Sequence, residues 1–169
     1  QPAEWDDYHV LLAAGFSPMV IFSTEAIETM DDLAGTRCRV KGLQADQATA
    51  MGATPIDIPV SDLFDAMQKG VVDNAATSME AAKSWRLADI CDYCTLSWMA
   101  FSPPAYYLVM NGEVWDGLPE SAQQVFTEVS AEYVEKVALV CNDADIEGAE
   151  CGIEQGMEFI TLSDEETQK

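Results

Sequence analysis

Apolar residues along this chain fall into two regimes. Between residues 30 and 111, short β-type runs alternate with short helical patterns. Residues 36–41 read as a strand, with Cys38 and Val40 alternating against polar neighbours. Residues 44–51 read as a helix closed by Gly52, and 54–59 as a strand with Ile56 and Ile58 on one face. Ser61 is placed to cap a helix through Leu63, Phe64 and Met67 that closes at Gly70. A strand begins at 71–73, a helix covers 79–88, a strand covers 93–98, and 105–111 (AYYLVMN) is the most strand-like run of all. Strand and helix alternating at this spacing predict an α/β fold with a largely parallel sheet.

After residue 111 the period changes. Pro119 suits the first turn of a helix reaching to around residue 150. Val125, Phe126, Val129, Tyr133, Val137 and Val140 share one face of it, with Glu128, Glu132 and Glu135 on the adjoining face. Near the end, Ser163 with Glu166 three residues on reads as a capping box, and Leu162 is placed to staple the entry. The sequence stops at Lys169 before that helix completes a stable length, and it opens on Gln1-Pro2. The expectation is a fragment, cut inside a longer protein at both ends.

Composition removes several classes of function. The chain has 169 residues, 49% hydrophobic and 22% charged, which suits one domain or two small lobes and excludes a disordered tail. Its 30 acidic and 8 basic side chains give a net charge of −22, which argues against nucleic acid as a partner and against a basic membrane patch. With His9 as the single histidine, Ser-His-Asp catalysis, which would have to use that one residue, and two-histidine zinc sites are close to impossible.

Cys91-x-x-Cys94 has the spacing of a redox centre or half a metal site. Cys38, Cys141, Cys151 and His9 form no second pair near it in sequence, so packed thiols are the simpler expectation, with a local disulfide or a redox/metal module as alternatives. No glycine pattern cradles a phosphate, and the acids at 142–145 do not match a calcium loop. No cofactor and no metal are therefore expected. The arginines are more informative, because there are three: Arg37, Arg39 and Arg86. Arg37 and Arg39 lie two apart in one short strand, hence on one side of it, near the C-terminal end where α/β sheets bind ligands. Arginine suits planar recognition of a carboxylate. Two readings stay open at this point, a ligand anchor and an internal salt bridge.

Several segments in order resemble the DctP-type solute-binding proteins of TRAP transporters. Residues 31–40 (DDLAGTRCRV) are similar to that family's DLKGLKIRVP, 52–55 (GATP) to GATPV, and 61–73 (SDLFDAMQKGVVD) to SEVYTALQTGVVD. Residues 85–90 (WRLADI) resemble FKLAEV, 107–111 with 115–119 (YLVMN, WDGLP) resemble YLVMN and WDSLP, and 156–166 (GMEFITLSDEE) resembles GMEVVTLSDEE. The resemblance implies a periplasmic binding protein type II-like two-lobed fold, incomplete at both ends of this chain. Residues 17–104 and 145–169 would be most of ligand-binding lobe 2, 1–16 and 105–120 part of lobe 1 and the hinge strands, and 119–150 a long helix crossing between lobes.

The same resemblance implies a function: capture of a small organic acid outside the cytoplasm, for uptake through membrane-embedded TRAP transporter subunits. It also implies a periplasmic location, a monomer when full length, and no catalysis. Arg39 falls on the arginine that pairs with the ligand carboxylate, whereas Arg37 falls where the family tolerates lysine. Lys41 departs from the proline of the R-V-P motif. Thr77 stands where asparagine often hydrogen-bonds the ligand, and Met79 where one branch has an aromatic wall. Val60 and the stretch from Trp98 to Phe101 are the remaining candidate lining, which would suit an apolar or aromatic acid. An enzyme on the same scaffold, acting on a small organic acid with Asp73 or Glu80 as base, is the rival from another class. Five cysteines sit uneasily with an oxidising compartment.

Overall fold

The computed structural model describes residues 5–97 and 100–167. The chain divides into two compact units: one holds Gln1–Phe16 and Pro104–Asn142, the other Ser17–Pro103 and Asp143–Lys169.

The larger unit is built on a sheet of six strands. In chain order they are β2 (Met19–Ser23), β3 (Arg37–Arg39), β4 (Thr54–Ile56), β5 (Asn74–Ser78), β6 (Tyr93–Leu96) and β8 (Glu158–Thr161), arranged β4-β3-β5-β2-β6-β8. The pairs β3/β4, β3/β5 and β6/β8 are parallel, while β2 pairs antiparallel with both β5 and β6. The largely parallel sheet expected from the sequence is thus interrupted at one place, where β2 runs against the other strands. All five residues of β2 are buried, because alternate side chains feed two cores. Val20 and Phe22 pack with Leu63, Met67, Leu87 and Met157 on one face; Met19 and Ile21 pack with Leu33, Cys38, Val40 and Phe101 on the other.

Short helices connect these strands. Helix α1 (Gln44–Ala50) closes at Gly52, whose φ of 80° is the left-handed conformation such a stop requires. Helix α2 (Leu63–Gln68) buries Leu63 and Met67. Ser61 does not cap it: the residue lies in a 3-10 turn, Val60–Asp62, and its hydroxyl donates to Asp62 Oδ1 at 3.2 Å. The strand expected from 71 begins instead at Asn74. The helix expected over 79–88 is broken into α3 (Ala81–Ser84) and a 3-10 turn, Leu87–Asp89, because Arg86 adopts a left-handed φ of 58° between them. Near the end, Ser163 Oγ accepts from Glu166 N at 3.2 Å, capping α6 (Asp164–Thr167). The Glu166 carboxylate reaches across the unit to accept from Met30 N at 2.9 Å.

The smaller unit carries a two-stranded antiparallel ribbon of β1 (Tyr8–Gly15) and β7 (Ala105–Asn111), with a bulge between Val10 and Leu12. Aromatic pairs knit it: His9 stacks on Trp115 at 3.6 Å between ring centres, and Trp5 meets Tyr107 edge-on at 4.5 Å. Asn111 Oδ1 accepts from Val114 N at 3.2 Å and so caps α4 (Gly112–Asp116). Helix α5 (Glu120–Glu154) follows, 35 residues or about 50 Å long. Its apolar face is not covered by the described residues: Val125, Phe126, Val129, Tyr133 and Val140 are exposed.

Among the described residues, no helix is long and apolar enough to cross a membrane.

Candidate functional site

Five strands of the large sheet end on the same edge, since only β2 is reversed. Arg39 is the last residue of β3 at that edge, set between Ile56 of β4 and Ala75 of β5. Residues opposite one another across a sheet share a face. Arg39 therefore stands on the face of Ala75, and Thr77, opposite Val20, stands there too. Val60 and Met79 pack against the core on that face. Thus four of the sequence candidates, Arg39, Thr77, Val60 and Met79, come to one side of one edge. Phe101 does not join them: it is fully buried in the core of the opposite face. Trp98 lies outside the described residues.

The two neighbouring arginines have opposite fates. Arg37 is exposed and bound to Asp73: its Nε donates to Asp73 Oδ2 at 3.0 Å, and its backbone N–H donates to the same oxygen at 2.7 Å. That contact holds the Asp73 carboxyl below its usual range, with burial opposing it. A carboxylate so stabilised is a poor proton acceptor, which disfavours Asp73 as a catalytic base. The salt-bridge reading is therefore right for Arg37.

Arg39 is different. It is 6% exposed, and its Nε donates to the backbone carbonyl of Ile58 at 3.2 Å. No carboxylate among the described residues forms an ion pair with it. Burial pushes its guanidinium below the ordinary value, and the charge of Asp57 partly offsets this. Asp57 itself is taken by Lys41, whose Nζ lies 2.7 Å from Asp57 Oδ1. An arginine keeps its charge in proteins, so burial without an acid leaves a cation with unused donors.

The segment carrying Thr77 and Met79 is held from behind. Glu80 N donates to Asp145 Oδ1 of α5 at 3.0 Å, and Lys83 pairs with Glu147 at 2.7 Å. Gly148 lets the helix backbone lie directly on this corner, since a Cβ there would sit 2.3 Å from the Met79 carbonyl oxygen. None of these supports was legible in the sequence. Nor was Ser97, just past the end of β6, whose buried hydroxyl has no hydrogen-bond partner among the described residues.

Cys91 and Cys94 are buried, and burial pushes both thiols up to about 12. Both are therefore protonated at neutral pH and poor as nucleophiles or ligands. Cys94 pairs across the sheet with Phe22, and Cys91 Sγ lies 3.9 Å from Met67 Sδ, which are packing contacts.

The family model of the bacterial extracellular solute-binding proteins, family 7 (DctP), matches residues 4–169. The chain belongs to that family. Among curated relatives, an uncharacterised protein of Haemophilus influenzae is 29% identical over 157 residues, covering 91% of this chain and 47% of its own length. Among solved structures, a TRAP periplasmic solute-binding protein of Desulfovibrio salexigens is 28% identical with a TM-score of 0.83, covering 99% of this chain and 52% of its own. In that structure the C-terminus of a symmetry mate occupies the ligand-binding site. A second protein from Desulfovibrio salexigens, with bound orotic acid, has a TM-score of 0.85 at 21% identity, over 97% of this chain and 53% of its own. The chain thus spans about half the length of the proteins it matches. Their two-lobed α/β fold is the one expected for this DctP family member from the sequence.

Proposed function

We propose that the complete protein captures a small organic acid in the periplasm and delivers it to membrane subunits of a TRAP-type transporter, making and breaking no bond. The observation that carries this reading is Arg39, a buried cation at the ligand edge of the sheet that bonds a backbone carbonyl and forms no ion pair with an acid among the described residues. A ligand carboxylate would complete its hydrogen bonds and neutralise its charge in one step. Thr77 offers a hydroxyl beside it, and Val60 and Met79 an apolar wall. Phe101 would support the sheet from behind, and Trp98 remains a candidate wall on sequence grounds. Matched structures contain orotic acid, β-D-galacturonate, L-malate and malonate, all carboxylates, which supports an acid as the ligand class here.

In this reading the larger unit is most of one ligand-binding lobe. Residues 1–16 and 105–120 belong to the other lobe and the hinge strands, and 119–150 to the helix crossing between lobes. The division of the chain near residues 16 and 104 supports it. Closure of the lobes would strip water from the arginine–carboxylate pair and strengthen it.

The test is isothermal calorimetry on the complete protein with those four acids and D-glucuronate. Arg39→Ala should weaken binding by at least about 100-fold, and Arg39→Lys should also bind poorly because a point charge cannot reproduce the planar fork. Arg37→Ala, already paired with Asp73, should change affinity by less than about fivefold. Wild-type affinity in Arg39→Ala would remove the reading.

A further inference from the structure

Lys41 and Asp57 form an ion pair that the fold itself does not require. Both side chains are more than half exposed, and such pairs contribute little to folding. Their position is more telling. The pairing of β3 with β4 continues past Arg39, with Val40 N donating to the Ile56 carbonyl at 3.3 Å. Arg39 then reaches the Ile58 carbonyl, and Asp57 is the residue between these two acceptors. Asp57 is the acid whose charge acts on Arg39, and Lys41, two residues beyond Arg39, holds it.

We infer that Lys41 is a positioning residue that withholds Asp57 from Arg39, so that the guanidinium stays open for an incoming carboxylate. This rests on Arg39 being the ligand anchor. An internal carboxylate bonded to Arg39 would have to be displaced before an external one could bind, and its charge would repel the acid as it arrived. With Asp57 paired to Lys41 and Asp73 to Arg37, Arg39 is a buried cation at this strand end that has no ion-pair partner among the described residues.

The experiment is a double-mutant cycle on the complete protein, read by calorimetry against D-glucuronate, β-D-galacturonate, L-malate, malonate and orotate. Thermal melting accompanies it to show that each variant is folded. Lys41→Met should weaken binding of every acid that wild type binds by about tenfold, and Lys41→Met/Asp57→Asn should return to within about threefold of wild type. Asp57→Asn alone should bind as wild type or tighter. Lys41→Met/Asp62→Asn restores the same net charge in the same segment while leaving Asp57 in place, and it should remain weak.

The inference is overturned if Lys41→Met binds as wild type. It is overturned equally if the Asp57→Asn double variant stays weak, because Lys41 then touches the acid itself. Equal rescue by Asp62→Asn would also overturn it, since net charge alone would then explain the effect. Those results, with binding still lost in Arg39→Ala, would leave the carboxylate reading standing. If Arg39→Ala binds normally, or wild type binds none of the five acids, that reading fails and the role of Lys41 fails with it.

Discussion

Strands β2 (MVIFS) and β7 (AYYLVMN) are both rich in apolar residues, yet every residue of β2 is buried while β7 is exposed at all positions but Met110. The difference lies in the neighbours. β2 is flanked by β5 and β6 and sandwiched between two side-chain cores. β7 has β1 on one edge, and its faces carry Tyr106, Tyr107, Leu108 and Val109 in the open. An apolar pattern states that a surface needs cover, but it does not state which part of a protein supplies it. The larger unit supplies its own, whereas the described residues leave the ribbon and the helix face from Val125 to Val140 exposed.

The strongest way to test that contrast is by deletion of side chains. Phe22→Ala should destabilise the chain by about 3–5 kcal/mol in urea unfolding, the range for a large aromatic lost from a packed core. Leu108→Ala, at 56% exposure, should cost less than about 1 kcal/mol. Equal costs would mean that the ribbon is covered in solution after all. A smaller effect is expected from the uncovered surface itself. Residues 1–169 should bind a hydrophobic dye and associate as concentration rises, and Tyr107→Lys with Leu108→Lys should reduce the dye signal to roughly half or less. A monodisperse chain that binds no dye would break the comparison.

The smallest effect is electrostatic and belongs to the larger unit. Asp73 is held below its ordinary value by Arg37, so its contribution to stability is full above the unfolded carboxylate pKa of about 4 and is lost as pH falls through the depressed value. Asp73→Asn should therefore flatten the acid limb of a stability–pH curve slightly, by less than about 1 kcal/mol given its exposure. No change between pH 2 and 5 would show that the pair does not persist in solution.

Much of this was legible because sequence and structure obey the same local rules. Alternation located β3 and β4, glycine located the end of α1, and Pro119 marked the start of α5. β2 was harder to read because a strand buried on both faces has no alternation to show. Two-residue spacing put Arg37 and Arg39 on one side of a strand, but it could not say which of them an acid had already claimed. That depended on Asp73, far along the chain, reaching Arg37. The support of Thr77 and Met79 by Asp145 and Gly148 was likewise invisible, since it is a contact between segments remote in sequence.

The reversed strand also sets an order of events in time. β2 is complete by Ser23, but its partners β5 and β6 begin at Asn74 and Tyr93. During synthesis the segment MVIFS emerges long before either of the strands that pair with it. Non-local pairing of this kind slows folding, and an unpaired apolar β segment is open to wrong partners meanwhile. β8, added beside β6 from Glu158 onward, arrives last. The nascent chain therefore has to keep its central strand from aggregating until most of the sheet has been made.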